Sequence, residues 1–265
     1  MFDTFVGMRS KEEYEEVMRL VAAGMNDSAI ARETGISRTT IREWRMGKVR
    51  GDGRVSGRCS GSGDACGSVE HAIRNGHVYS YLLGQYLGDG MLSSYPRGVY
   101  RLRIACTATY PEIIEEVARS VATIRGSERI GFTERTGVVE VSAYWKHWPC
   151  MFPQHGAGPK WKRPIVLREW QTALVFAHPW PLLRGLVHSD GCRHINTVRR
   201  PVRGKMKRYH YSRYMFTNAS DDIRRLFTDA CEAVGVHWTQ TNPRIVAISR
   251  RGDVELMDRF IGPKR

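Results

Sequence analysis

The sequence predicts an α+β protein: a duplicated αββαββα core with pseudo-two-fold symmetry, preceded by a small all-α helix-turn-helix domain. Three observations predict it. A motif of small residues closing in Asp-Gly occurs twice, at "LLGQYLGDG" (Leu82 to Gly90) and "LRGLVHSDG" (Leu183 to Gly191). The same succession of strand-like and helix-like segments follows each copy. Ahead of both lies a short helical pattern with an arginine-rich outer side, in a chain of 265 residues with a formal net charge of +14.

That charge, with a sequence pI of about 9.8, points to a polyanionic partner, nucleic acid above all. Hydrophobic residues make up 42%, enough for a sizeable core. No apolar run reaches the roughly 18 residues that a membrane-spanning helix requires. The N-terminus lacks the basic and apolar regions of a secretion signal. Six scattered cysteines then read as thiols in a reducing compartment, and a cytoplasmic, nucleoid-associated location is expected.

Taken in order, Tyr14, Val17, Met18 and Val21 recur at helical spacing. Asp27 is a candidate N-cap for a second helix. Within "DSAIARETGISRTTIREWRMG", Ala31 is small enough for a following helix to approach, and Gly35 suits a turn at positive φ. Ser37 can cap a third helix whose Ile41 and Trp44 face inward together with Ile36. This Ala-x3-Gly-x5-Ile spacing resembles the helix-turn-helix of bacterial repressors and resolvases. Arg38, Thr39, Thr40, Arg42 and Arg45 lie on the outer side of the third helix, where hydroxyls and guanidinium groups suit base edges and phosphates. Residues 1–47 therefore form the expected DNA-binding domain.

Residues 48–77 are rich in Gly and Ser and read as a flexible linker. Cys59 and Cys66, with His71 and His77 beyond, are conceivable zinc ligands. The six residues between the two cysteines exceed the usual spacing of two to four, so a plain tether is the expectation.

The first repeat is expected over 78–178 and the second over 179–265. Each opens with a helix whose small residues lie one turn apart: Gly84 with Gly88, and Gly185 with Ser189. Such pairs let two helix backbones approach closely. Packed together, the helices bring their C-terminal ends to one edge, with Asp89 beside Asp190 and Gly90 and Gly191 leading the chain away. Adjacent carboxylates repel unless a cation lies between them, and oxygen ligands suit Mg²⁺ or a similar hard divalent ion. After each motif come two strands, a helix, two more strands and a closing helix, the last near Tyr144–Met151 and near Gly252–Ile261. His188, in the second motif helix, is expected to make an interhelix hydrogen bond.

The two motif copies, their separation by one repeat and the order of elements after them resemble the LAGLIDADG homing endonucleases in their monomeric, two-motif form. The resemblance runs from Val78 to the C-terminus. It implies a sequence-specific endonuclease of intron-homing type that hydrolyses double-stranded DNA with Mg²⁺ or Mn²⁺. Two sheets form a saddle over the major groove. Asp89 and Asp190 would hold the metal, with Gly88 and Ser189 beside them, and Lys162 would assist the attacking water. A non-cleaving transcriptional regulator on the same core is the alternative, and an RNA-splicing maturase a third reading.

Two asymmetries between the repeats are expected. Gly262-Pro263-Lys264 echoes Gly158-Pro159-Lys160, yet nothing matches Lys162, so the second half-site is expected to be incomplete. At the strand-to-helix junction Asn218 can serve a metal site, whereas its counterpart Ala108 cannot. DNA contacts are expected from Lys160, from Arg97, Arg101 and Arg103 in the first hairpin, and from Arg193, Arg199, Arg200, Arg203, Lys205, Lys207, Arg208 and Arg213 in the second. No acidic residue lies between Asp190 and Asp221.

Overall fold

The computed structural model describes residues 11–46, 66–262 and 264. Cys59 and most of the expected linker lie outside the described residues. The chain divides into two compact units, Met1–Gly57 and Arg58–Arg265.

In the first unit, α1 (Lys11–Ala22), α2 (Asp27–Thr34) and α3 (Arg38–Arg45) enclose Val17, Leu20, Ile30, Ile36 and Ile41. Trp44 packs edge-on against Tyr14, with ring centroids 5.2 Å apart. The cap of α2 is Asn26 rather than the expected Asp27. Its side chain accepts from the Ser28 and Ala29 amides at 3.1 and 2.9 Å, because the cap must have extended backbone and Asp27 is already helical. Asp27 instead pairs with Arg45 at 2.9 Å. Gly35 takes φ 68° and Ser37 caps α3, as the motif predicts.

The second unit begins earlier than expected. Residues 67–77, read as linker, form α4 (Gly67–Arg74) and the start of α5 (Gly76–Asp89). Val69 and Ala72 are buried there, two apolar side chains too few to stand out in a Gly/Ser-rich sequence. The first repeat continues with β1 (Gly90–Tyr95), β2 (Val99–Thr107), α6 (Pro111–Arg125), β3 (Gly131–Arg135), β4 (Val138–Trp145) and α7 (Trp148–Met151). A short α8 (Glu169–Ala177) leads to the second repeat. That repeat comprises α9 (Pro179–Asp190), β5 (Gly191–Val202), β6 (Lys205–Thr217), α10 (Asp221–Ala233), β7 (Thr239–Asn242), β8 (Ile245–Ile248) and α11 (Arg251–Phe260). Each repeat builds one antiparallel sheet in the same order, β1-β2-β4-β3 and β5-β6-β8-β7. The duplicated αββαββα architecture is thus observed. The closing helices differ: α7 is a single turn, whereas α11 has ten residues.

The axis of the unit is the pair α5 and α9. Every residue from Tyr79 to Leu87 is buried, as befits a helix packed on all sides. A Cβ on Gly84 would sit 2.7 Å from the Leu182 carbonyl oxygen and the Leu186 nitrogen, and one on Gly185 would strike the Tyr81 carbonyl oxygen. The backbones therefore touch, and only glycine fits. Gly90 and Gly191 are not positive-φ turns; both are extended, at φ −88° and −100°. A Cβ at either would collide with the preceding helical turn, at Tyr86 and Val187. Arg184 ties α9 to α6 through a bidentate pair with Glu116, Nε and Nη2 each at 2.9 Å. No helix among the described residues is long and apolar enough to cross a membrane.

Candidate functional site

Because α5 and α9 touch along their glycines, their last turns meet at one edge of the unit. A Cβ on Gly88 would run into the Ser189 side chain and lie 3.0 Å from Asp190 Oδ2. Asp89 and Asp190 therefore face the same small space at two helix C-termini, where the backbone dipoles are already negative. Asp89 is exposed as a residue, yet neighbouring protein crowds its carboxyl. That crowding, then the charge of Asp190, pushes its carboxyl up to about 6. Burial also raises Asp190, opposed by a hydrogen bond from Asn218 Nδ2 at 2.7 Å and by two lysines.

The two lysines are Lys160 and Lys264. Lys160 Nζ donates to the Tyr86 and Gly88 carbonyls at 2.5 and 2.9 Å, in the last turn of α5, where the Tyr86 carbonyl also accepts the Gly90 amide. Lys264 Nζ donates to the Ser189 carbonyl at 3.3 Å, the corresponding position on α9. Burial lowers both ammonium groups, Lys160 to about 8, while Asp89 and Asp190 work in the opposite direction. The site is a pseudo-symmetric quartet of two carboxylates and two ammonium groups.

Several expected residues fall elsewhere. Lys162 does not reach the carboxylates; it is exposed, with Nζ 4.9 Å from the Trp161 ring centroid. Lys160–Lys162 is one 3-10 turn, with three residues per turn, so Lys160 and Lys162 point in different directions. The signal that finds Lys160 is the Gly-Pro-Lys echo, not proximity in sequence to a family position. With Lys264 as its counterpart, the second half-site is not short of a lysine. Gly88 and Ser189 offer only backbone carbonyls, both held by lysine. The Ser189 hydroxyl donates to the Gly185 and Leu186 carbonyls, each at 3.0 Å. His188 makes the expected interhelix contact, Nδ1 to Tyr81 Oη at 3.2 Å. Burial and the Arg184 charge lower it to about 3, so the imidazole is neutral.

The sheet faces divide the expected DNA-contact residues by period two. In the β5–β6 hairpin, Arg200 lies opposite Lys207 and His194 opposite Arg213. These residues and Lys205 occupy the outer face. Arg193, Arg199 and Arg208 lie on the other, where Arg193 is held by Asp258 at 2.6 and 2.8 Å. Arg199 directly opposes Arg208, as Arg200 opposes Lys207. Like charges paired across strands destabilise a ladder unless an anion lies between them. β6 pairs with β8 only from Tyr214 to Thr217, so beyond Tyr214 toward its tip the hairpin has no third strand among the described residues and is largely exposed. Arg203 forms its tip at φ 51°, followed by Gly204; in the first hairpin Arg97 at φ 63° is followed by Gly98. On the first sheet Arg101 and Arg103 share Glu140, at 2.9 and 3.7 Å. In the first unit Arg38, Thr39 and Arg42 are exposed. Thr40 bonds Ser37 at 2.8 Å, and Arg45 is turned back onto Asp27 and the Met25 carbonyl.

Residues 8–42 match the family described as the helix-turn-helix domain of resolvase. No curated protein matches the chain. Among solved structures, the crystal structure of I-DmoI in complex with DNA and Mn is similar at 13% identity and TM-score 0.48, over 72% of this chain and 98% of that one. The LAGLIDADG meganuclease I-AabMI bound to uncleaved DNA is similar at 12% and 0.44, over 69% and 82%. Meganuclease I-SmaMI bound to uncleavable DNA is similar at 9% and 0.43, over 70% and 83%. By its own geometry the second unit is a duplicated fold, with two glycine-packed motif helices each running into a four-stranded sheet of the same order.

Proposed function

We propose that this protein is a sequence-specific DNA endonuclease of the LAGLIDADG homing type, which hydrolyses phosphodiester bonds of double-stranded DNA with a divalent metal ion. One observation carries the proposal: two helices meeting through glycine set Asp89 and Asp190 side by side, each helix end carrying a lysine on its carbonyls. The donor set fits a hard divalent cation such as Mg²⁺ or Mn²⁺. It offers carboxylate oxygens whose ionised forms burial disfavours, and at Asp89 the charge of Asp190 adds to that; a bound cation would offset both. When bound, the ion supplies an activated water and polarises the phosphoryl oxygen.

The chain's own residues do the rest. Asp89 and Asp190 would hold the ion, one carboxylate from each motif helix. Lys160 and Lys264 add fixed positive charge where negative charge develops on the phosphate, and being positioned beforehand they need not reorganise during reaction. The outer face of the β5–β6 hairpin lays Arg200, Lys205 and Lys207 along a phosphate track, and Tyr209, Tyr211 and Asn196 offer hydrogen-bonding groups to base edges on the same face. The resolvase-type helix-turn-helix supplies a second DNA contact.

The test is cleavage of a plasmid carrying the DNA that flanks this protein's own gene, with Mg²⁺ or Mn²⁺ against a chelator. Linear product that disappears in Asp89→Asn and in Asp190→Asn is the expected result. Tight binding without a nick under any divalent ion overturns it in favour of a transcriptional regulator, the reading that the helix-turn-helix match favours. Nicked circle as the sole product leaves one competent half-site.

A further inference from the structure

The first repeat holds a cluster that the carboxylate site does not use. Cys66, His147 and Cys150 each present a ligand atom within 4.8 Å of the others, and all three are half-buried. Cys66 Sγ lies 3.2 Å from His147 Nδ1. In a tetrahedral zinc site with Zn–S of about 2.3 Å and Zn–N of about 2.0 Å, neighbouring ligand atoms stand roughly 3.5–3.8 Å apart. The cluster needs only sub-ångström to ångström adjustments to reach that geometry.

The three residues come from two places in the chain. His147 and Cys150 are three apart on the turn that includes α7, so they share a face. That turn is anchored from beneath. Trp148 is fully buried and its Nε1 donates to the Ala143 carbonyl at 2.9 Å, while Trp145 packs edge-on against both the His147 and Trp148 rings at 5.1 Å. Cys66 immediately precedes α4, which buries Val69 and Ala72 in the same core. The zinc set conceivable from sequence is not what the fold assembles: His71 Nε2 bonds the Thr123 carbonyl at 2.7 Å and His77 packs near His178. Of those expected residues described, only Cys66 belongs to the cluster.

Comparison of the repeats gives the cluster a purpose. The second repeat closes with α11, ten residues long, which buries Val254 and Met257 and needs no further support. The equivalent element in the first repeat is the four-residue α7. A helix of one turn does not sustain itself, because it carries the cost of nucleation without propagation. The second repeat has neither Cys nor His between Ile248 and Arg265.

We propose that Cys66, His147 and Cys150 bind one structural zinc ion, which clamps the start of α4 to the closing turn of the first repeat. Two thiolates and an imidazole select a borderline-soft ion over Mg²⁺ or Ca²⁺. A water or a further donor completes the tetrahedron. The ion is distinct in ligand chemistry from the hard cation proposed at Asp89 and Asp190, and the inference does not rest on that function.

The test uses the full chain purified under reductant. Elemental analysis after exhaustive dialysis is expected to give one zinc per chain, and a strong chelator is expected to lower the Tm. Replacing zinc with Co²⁺ is expected to give tetrahedral d–d absorption with a thiolate charge-transfer band. Cys66→Ser and Cys150→Ser should each weaken that band and remove stoichiometric zinc. His147→Cys should retain the metal and strengthen the band, which a merely structural contact would not do. The proposal is overturned if the reduced wild-type chain takes up no more Zn²⁺ or Co²⁺ than the Cys66→Ser/Cys150→Ser variant. It is equally overturned if Cys66 and Cys150 are recovered as a disulfide that forms in the presence of excess Zn²⁺.

Discussion

The two repeats share a plan but not a chemistry. Each runs from a glycine-packed helix into a four-stranded sheet of identical order, and each sets a lysine on the carbonyls of its motif helix. The second repeat adds Asn218 to Asp190, where the first has Ala108 at the equivalent strand-to-helix junction. It also extends its hairpin to strands of 12 and 13 residues, against 6 and 9 in the first. The first repeat instead gathers Cys66, His147 and Cys150 under a shortened closing helix. Duplication fixed what the helix interface demands, namely glycines and aspartates at equivalent places. Positions away from that interface were free to diverge, so one half carries the longer basic hairpin and the other a Cys/His cluster at its edge.

The largest effect should come from the shared interface. Gly185→Val drives a side chain into backbone on α5 with no flexible neighbour to yield, and a loss of about 3 kcal/mol or more is expected in chemical denaturation. Gly88→Ala meets Ser189 Oγ, which can rotate, and Ser189 Cβ, which cannot, so the last turns must part slightly; a smaller loss of about 1–2 kcal/mol is expected at this edge of the interface. Equal losses would show that the pseudo-axis is not the site of closest approach.

Next come the charged groups at the site. Asp89→Asn and Asp190→Asn are each expected to slow cleavage roughly 100-fold or more, as are Lys160→Met and Lys264→Met to a lesser degree, with Lys162→Ala close to wild type. Steady-state rates on one substrate make this comparison. A larger effect from Lys162 than from Lys160 would reverse the assignment. The pH profile should rise through about 6 as Asp89 ionises and fall beyond about 8 as Lys160 loses its proton.

Stability should respond to pH with the opposite sense. The folded pKa of Asp89 lies above its unfolded value, so the native state retains the proton longer. Its contribution is present below the ordinary carboxylate range and is lost as pH rises through about 6. In chelator, Asp89→Asn should therefore raise the Tm above that pH and leave it nearly unchanged well below. Carbon-13 carboxyl titration sharpens the comparison between halves. Asn218→Ala should push Asp190 upward, making the second half resemble the first, and Ala108→Asn should pull Asp89 down.

The smallest effects should lie in the hairpin. Arg200→Ala or Lys207→Ala should reduce the salt dependence of DNA binding by about 1 in logarithmic slope for each phosphate left without its cation. Arg193→Ala, already paired with Asp258, should leave the slope near its wild-type value. Filter binding across a salt series would measure both.

Much of this was legible from residues alone, because the signals are local and periodic. Small residues one helical turn apart announce a close helix pair, alternation announces strands, and a glycine four residues after Ala31 announces the turn before α3. Repetition of all of these at one spacing specified the duplicated αββαββα fold and nominated Asp89 and Asp190. Tertiary structure decided what depends on side-chain direction and on partners distant in sequence. It selected Lys160 over Lys162, since neighbours on a tight turn point apart. It separated the hairpin arginines into an outer face and an Asp258-bound face through strand register. It recovered α4 from a glycine-rich stretch and brought Cys66 to His147 and Cys150. No local pattern encodes that meeting, because it follows only when the core has folded and its elements have taken their places.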